Sequence, residues 1–272
     1  MILDQRVFHQ LNDISVITND FRNGSYLFPF EVGQYLYIGS IFPFNNLFFD
    51  LSAVNSVDAV VRPEIWWGGG DGWTDAVDVI DETNGLKKTG RIQWNTDIHK
   101  GWNHEYECRV VTGLETKKVY NMYWMRFSWD ANLTPTTAFN YIGQKFSDDI
   151  MLQSFYPDLL LSRVLDAFKS GKTNWNEQHY MAAVEIIRDL KKRDIIKGRA
   201  QLLDYSLFTD AACHKVAELA YRAFGQPYFE HVRQAHQSYS DATNLKFYNT
   251  DLNADARLDP VERTFKTDFM RR

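Results

Sequence analysis

The most constraining feature of this chain is a change in the spacing of its apolar residues near Gln144. Before that point, aromatic and β-branched segments alternate with Gly, Asn, Asp and Pro clusters, a pattern typical of an antiparallel sandwich. After it, apolar residues recur three and four positions apart, as one face of an α-helix requires. We therefore expect an α+β multidomain protein with an N-terminal antiparallel β-sandwich, a C-terminal helical bundle and an extended tail.

The predicted strands are short and aromatic-rich. Residues 120–128 are mostly apolar on both faces, which indicates a central strand. Asp71-Gly72 and Asn84-Gly85 are hairpin-type turns, with glycine in the positions that need positive φ. The best strand candidates are residues 35–40, 59–67, 91–94, 119–129 and 138–143.

The helical half divides at its capping residues and at proline and glycine. Four helices are predicted: a face from Leu152 to Phe168, a helix after the capping pair Asn174 and Glu177, one between Thr209 and Gly225, and one from Pro227 to about Asn244. The expected domains are a β-sandwich over 1–146, a helical domain over 147–246 and a C-terminal tail over 247–272.

Size and charge restrict the class of protein. The 272 residues are 44% hydrophobic, which is enough for substantial cores. A net charge of -5 argues against a protein that wraps nucleic acid, and the basic run 191–199 is expected to solvate a helix end. Cys108 and Cys213 lie far apart, so we expect reduced thiols and a reducing compartment. The chain has neither a signal-peptide pattern nor a long apolar stretch, so we expect neither that secretion route nor a membrane span.

Residues 251–262 match the spacing of a calcium-binding loop. Oxygen ligands recur at the first, third, fifth, ninth and twelfth positions, and the seventh acts through its carbonyl. Ala256 departs from the template, because the sharp turn there favours glycine. The same residues also suit an ordinary solvated turn. The predicted metal ligands, for a structural Ca²⁺, are Asp251, Asn253, Asp255, Arg257, Asp259 and Glu262.

Catalytic patterns are not apparent, so we expect no enzyme activity. The Gly-rich run 66–73 has no Lys followed by Ser or Thr and is not a phosphate loop. The region around His99 and His104 is polar and aromatic, and surface histidines are the expected interpretation. Five tryptophans suggest a platform for sugar rings, although such residues more often pack in a core. They are Trp66, Trp67, Trp73, Trp94 and Trp102.

Two groups of segments resemble proteins of tailed bacteriophages. In the first half, Tyr35 to Asp50, Tyr123 to Phe127 and Leu133-Thr134 resemble sandwich modules of virion proteins. The second half is similar to the head-to-tail adaptor, or head-completion, family. The segments that carry this second similarity are Phe146 to Asp149, the turn Tyr156 to Leu159, and the helices Asn174 to Lys192 and Thr209 to Phe224.

The resemblance implies a structural virion protein in the neck, made in the host cytoplasm, with no membrane partner. Such adaptors form a homo-oligomeric ring, typically a dodecamer, beneath the portal protein, contact tail or neck proteins, and let DNA pass through the lumen. On this interpretation the basic, aromatic end of the chain docks on a partner through Phe265, Phe269, Arg271 and Arg272. The alternative is a carbohydrate-binding tail or surface protein that uses the tryptophan cluster.

Overall fold

The protein is α+β, with antiparallel sheets in the N-terminal part and helices in the C-terminal part. In a computed structural model, the described residues are 5–10, 12–19, 25–68, 72–95, 102–202, 205–244, 247–249 and 263–265. They form two compact units. The first contains the described residues up to Gly143 and also residues 198–202, which we call the returning segment because the chain comes back to the first unit there. The second unit begins at Gln144. The change of unit therefore falls at Gly143 rather than at residue 146, and no sequence pattern indicated the returning segment.

The first unit contains twelve described strands. In chain order they are β1 (Gln5–His9), β2 (Asn12–Asp13), β3 (Tyr26–Leu27), β4 (Leu36–Ser40), β5 (Asn46–Ala53), β6 (Val61–Trp66), β7 (Trp73–Asp75), β8 (Val77–Asp81), β9 (Gly90–Asn95), β10 (His104–Glu107), β11 (Tyr120–Trp129) and β12 (Ala138–Gly143). The five predicted strands are confirmed, as β4, β6, β9, β11 and β12. A short helix, α1 (Val16–Asn19), follows β2.

The strands form two antiparallel sheets. The first has the order β2-β1-β4-β11-β6-β7, with β10 also paired to β11, and the second has the order β3-β12-β5-β9-β8. Strand β11 is central, as predicted, because it pairs with β4, β6 and β10. Strand β5 was not predicted: its run of apolar residues lacks alternation, as expected for a strand whose first six residues are all buried.

Side chains of both sheets meet in one aromatic core. Phe49 of the second sheet packs edge-to-face on Phe127 of the first, with ring centroids 5.7 Å apart. Trp94 packs on the same Phe127 ring at 5.5 Å. Each buried aromatic side chain removes about 150 to 250 Å² from water, and fully burying a large apolar side chain contributes roughly 1.5 to 3 kcal/mol. This burial explains why the first half is so rich in Phe and Trp.

A second, smaller cluster covers the opposite face of the first sheet. It joins Phe8, Tyr37 and Trp124 to Cys108, Val111 and Leu114. Gly39 is required beneath Trp124, since a Cβ at that position would lie 2.8 Å from the indole ring. The returning segment also contacts this unit: Arg199 Nη2 donates to Gln5 Oε1 at 2.7 Å.

The second unit contains five helices and a strand pair among its described residues. These elements are α2 (Asp149–Phe155), α3 (Ser162–Phe168), α4 (Asn176–Lys192), α5 (Thr209–Phe224), α6 (Phe229–Thr243), β13 (Phe247–Asn249) and β14 (Arg263–Phe265). Helix α5 packs against both α4 and α6. Four of its alanines, Ala211, Ala212, Ala217 and Ala220, are fully buried and allow close approach of the neighbouring helices. Among the described helices, none combines the length and apolarity that crossing a bilayer requires.

Two of the predicted helix boundaries were wrong in detail. The face from Leu152 to Phe168 is split into α2 and α3 by a short 3-10 helix, Pro157–Leu160. Proline has no N–H to donate and restricts the residue before it, so the first helix ends at Phe155. Helix α6 begins at Phe229, after a 3-10 turn that contains Pro227. The end of α5 at Gly225 is confirmed, with φ of 78° at that glycine.

Candidate functional site

The predicted calcium ligands and most of the predicted docking residues lie outside the described residues. This applies to Asp251, Asn253, Asp255, Arg257, Asp259 and Glu262, and to Phe269, Arg271 and Arg272. Phe265 ends β14, where only the backbone is described. Strands β13 and β14 pair antiparallel, with Asn249 opposite Arg263. The described residues that flank the predicted loop therefore belong to paired strands, whereas helices flank the loop of an EF-hand. Within the described ranges, no group of three His, Cys, Asp or Glu side chains could hold a metal ion.

The tryptophan cluster is mostly packed inside the first unit. Trp66, Trp73, Trp94 and Trp102 are buried, and Trp67 is half-buried. Hydrogen bonds orient three of the indoles: Trp66 Nε1 donates to Glu105 Oε1 at 2.7 Å, Trp73 Nε1 to the Thr112 carbonyl at 3.1 Å, and Trp102 Nε1 to the Trp124 carbonyl at 2.7 Å. Four of the five indoles are thus core residues with little ring face left for a sugar. Of the two histidines noted nearby, His104 is exposed on β10 and His99 lies outside the described residues.

The second unit contains a buried polar cluster that sequence spacing did not indicate. Ser147 Oγ lies 2.7 Å from His179 Nδ1, and His179 Nε2 lies 3.1 Å from Asp149 Oδ1. A carboxylate accepts only, so Nε2 carries the proton and Nδ1 accepts from the Ser147 hydroxyl. Burial lowers the pKa of His179 below its usual 6.5, although the hydrogen bond that it donates to Asp149 opposes that shift. The histidine is therefore neutral near pH 7.

This cluster connects three helices rather than opening onto solvent. Asp149 is the first residue of α2, and its carboxylate also accepts from the Trp175 backbone N–H at 3.2 Å, at the start of α4. On α5, burial raises the pKa of the Cys213 thiol to about 12, while a hydrogen bond with the Ser147 side chain opposes the shift. Serine hydrolases use the same three residue types, but there serine meets Nε2 and aspartate meets Nδ1. Here the order is reversed and Ser147 is buried, which suits a structural clamp.

An ionic network around Glu218 connects α5 to α6. The Glu218 carboxylate is buried and accepts from Lys215 Nζ at 2.8 Å, from Arg222, and from His236 Nδ1 at 3.2 Å. Burial would raise the pKa of Glu218, but the hydrogen bond and charge of Lys215, the hydrogen bond with His236 and the charge of Arg222 lower it overall. Tyr239 of α6 donates to Asp189 of α4 at 2.6 Å. Polar contacts thereby hold α4, α5 and α6 in one arrangement.

The surface of the helical unit carries large apolar side chains in water. Ile150 on α2 is 79% exposed, Val184 on α4 is 63% exposed and Phe229 at the start of α6 is 62% exposed. Met181, one turn before Val184, is also exposed, so α4 presents an apolar strip. Single exposed apolar residues are normal on monomers, whereas contiguous apolar patches mark contact surfaces; Met181 and Val184, one turn apart on α4, are the neighbouring pair of this set.

Neither a protein-family model nor a curated protein matches this chain. The geometry of the described residues is therefore the basis for the functional interpretation.

Proposed function

We propose that this protein is a structural virion protein of a tailed phage: a head-to-tail adaptor that forms a ring beneath the portal, joins capsid to tail and lets DNA pass. In this proposal the first unit is a β-sandwich module, the second is a helical bundle, and residues 247–272 form a docking tail with a structural calcium loop. The sequence resemblance and the α+β architecture support it. The proposal assigns no catalytic activity to the chain.

The observation that carries the proposal is the set of exposed apolar side chains on three helices. A subunit of a closed ring meets its two neighbours through two different surfaces, and an adaptor needs a further surface for the portal. Ile150, Val184 and Phe229 supply apolar groups on α2, α4 and α6 respectively. Burying such a side chain against a neighbour contributes roughly 1.5 to 3 kcal/mol.

Two further properties agree with a ring through which DNA moves. The net charge of -5 disfavours tight attachment of passing DNA, because binding to phosphates relies on clustered Lys and Arg. The Glu218 network and the Ser147–His179–Asp149 cluster connect the helices of the second unit through ion pairs and hydrogen bonds. Helices connected in this way suit a subunit that must keep its shape within an assembly.

Electron microscopy of purified portal rings from the same virus, with and without this chain, tests the proposal. We expect a new rotationally symmetric tier on the portal. Val184→Asp and Phe229→Asp should remove the tier, because each places a carboxylate in an apolar contact. Gln153→Asp on α2 and Gln234→Asp on α6 are matched controls, since both positions are exposed and polar, and both should keep it.

Bare portals beside unattached protein would contradict the adaptor role. Deleting residues 247–272 tests the tail separately, and we expect it to weaken portal binding. The alternative, a carbohydrate-binding protein that uses the tryptophan cluster, has less support because Trp66, Trp73, Trp94 and Trp102 are buried.

A further inference from the structure

The turn between β8 and β9 contains three consecutive residues with positive φ. The values are 53° at Asn84, 67° at Gly85 and 65° at Leu86. Asparagine and glycine tolerate this left-handed backbone, but leucine adopts it only where the surrounding contacts hold it there. Leu86 is fully buried and Asn84 is exposed. The conformation of this turn is therefore fixed by its contacts with the rest of the first unit.

Asn84-Gly85 is also a residue pair from which asparagine readily loses ammonia. The backbone nitrogen of Gly85 attacks Asn84 Cγ, and the new N–Cγ bond closes a succinimide ring. The Cγ–Nδ2 bond breaks, and Nδ2 leaves as ammonia with the amide proton. Water then opens the ring on one side or the other, which gives aspartate or isoaspartate. Glycine permits the attack because it has no side chain to obstruct it and its backbone rotates freely.

The attacking nitrogen is held by the carboxylate of Asp81. The Gly85 N–H donates to Asp81 Oδ2 at 2.8 Å. The other oxygen, Oδ1, accepts from the backbone N–H of Thr83 at 2.8 Å and from its hydroxyl at 2.5 Å, so the carboxylate is itself fixed. Attack requires the nitrogen to lose its proton and carry negative charge. The carboxylate retains that proton through the hydrogen bond and repels the developing charge.

The residues that follow the attacking nitrogen are held on the opposite side by Asn55. Its Nδ2 donates to the Gly85 carbonyl at 2.9 Å, and its backbone N–H donates to the Leu86 carbonyl at 2.9 Å. The Leu86 N–H donates to Thr83 Oγ1 at 3.0 Å. Asn55 is buried, and its Oδ1 accepts from the Thr134 backbone N–H at 2.9 Å. Ring closure would move the Gly85 nitrogen toward the neighbouring side chain, so it requires these bonds to open.

We propose that Asn84 is a latent deamidation site, which Asp81 protects while the turn is folded and which converts to aspartate and isoaspartate when the turn opens. The rate of conversion then measures how often this turn opens. Isoaspartate adds a methylene to the backbone, so a converted chain loses the geometry that reaches Asn55, and the change is permanent. This inference is independent of the adaptor role.

Storage of the full chain at pH 8, followed by mass spectrometry of its peptides, tests this site. We expect Asn84 to convert at least tenfold more slowly in the folded chain than in the same chain unfolded in guanidinium chloride. Asp81→Ala and Asp81→Asn should each raise the rate in the folded chain at least fivefold, because both remove the carboxylate. Asp58→Ala is the matched control and should leave the rate unchanged, since the Asp58 side chain is 99% exposed and pairs with Lys87 beside the same turn.

Equal conversion rates at Asn84 in the folded and unfolded native chains would overturn the proposal. A folded Asp81 variant that converts no faster than the native chain would also overturn it. Thermal unfolding shows whether each variant is folded. If both variants lose the fold, hydrogen exchange of the Gly85 amide in the native chain decides. Slow exchange supports the protecting bond to Asp81, and exchange at the rate of an unfolded chain overturns it.

Discussion

Arg126 and Glu64 face each other across β11 and β6 and form a two-armed ion pair. Arg126 Nε and Nη2 donate to the two carboxylate oxygens of Glu64, each at 2.6 Å. The guanidinium carbon lies 4.2 Å from the Tyr35 ring centroid and 4.7 Å from that of Trp73. Both charged side chains are largely buried. The ion pair therefore places the planar guanidinium of Arg126 against aromatic rings, on the face of the first sheet that carries the smaller cluster.

Removing Arg126 should strongly destabilise the first unit. Arg126→Ala leaves the Glu64 carboxylate desolvated without its partner, and we expect a loss of about 3 kcal/mol in the free energy of unfolding. Arg126→Lys should lose less, because it keeps the charge but not the planar fork or the ring contacts. Urea unfolding measures both. Arg233→Ala is the control, since its pair with Glu230 is exposed, and its effect should stay below about 1 kcal/mol.

Gly85 should be intolerant of any side chain. Its φ is 67°, and a Cβ would lie 2.2 Å from the Ala59 carbonyl oxygen, which is backbone and cannot rotate away. We expect Gly85→Ala to lower the unfolding free energy by roughly 3 kcal/mol, from left-handed strain and the displaced carbonyl together. Gly33→Ala measures the left-handed strain alone, because Gly33 has φ of 92° and a Cβ there would meet nothing within 4 Å. Equal losses of unfolding free energy in Gly85→Ala and Gly33→Ala would contradict a clash with the Ala59 carbonyl.

His179 should make the second unit sensitive to acid. Its pKa is lowered below 6.5 by burial, so the unfolded chain binds the proton first as the pH falls. The stability contributed by neutral His179 is complete above about pH 6.5 and decreases below it, until the folded-state pKa is reached. The charged groups facing the imidazole are Asp148, Asp149 and Lys145.

Unfolding curves between pH 8 and pH 5 test this dependence. His179→Gln should lose about 1 to 3 kcal/mol at pH 8, through its broken hydrogen bonds, and should show a smaller decrease between pH 7 and pH 5. His231→Gln, at an exposed histidine of α6, should keep the original slope. An unchanged slope in His179→Gln would assign the acid sensitivity to other groups, such as His214, whose pKa burial also lowers.

The calcium loop predicted over 251–262 should bind a divalent cation through Glu262. Glu262 is the bidentate ligand of the template, so Glu262→Gln should weaken calcium binding at least tenfold in a titration of the chelator-treated protein. Ala256→Gly should strengthen it, because glycine enters the sharp turn without strain. Glu230→Gln, on the exposed side of α6, is the control and should leave calcium binding unchanged. Failure of the native chain to bind calcium at millimolar concentration would make this segment an ordinary turn.

The elements that could be predicted were those with a strong local pattern. Strand β11 followed from a run of residues that is mostly apolar on both faces, and the end of α5 followed from Gly225. The split between α2 and α3 was missed because the apolar spacing continues across Pro157. The buried cluster was missed because Ser147 and His179 stand far apart in the chain, and neither has a distinctive neighbourhood. Aromatic composition did not distinguish the buried Trp94 from the exposed Tyr106.

The order of apolar and polar residues along the chain was enough to assign sheets to the first half and helices to the second, because those preferences act between neighbours in sequence. The folded chain alone shows which side chains remain in water and which polar groups contact each other. Arg126 reaches Glu64 across paired strands, and His179 reaches Asp149 between two helices. Such contacts join residues far apart in sequence, and their burial depends on everything packed around them.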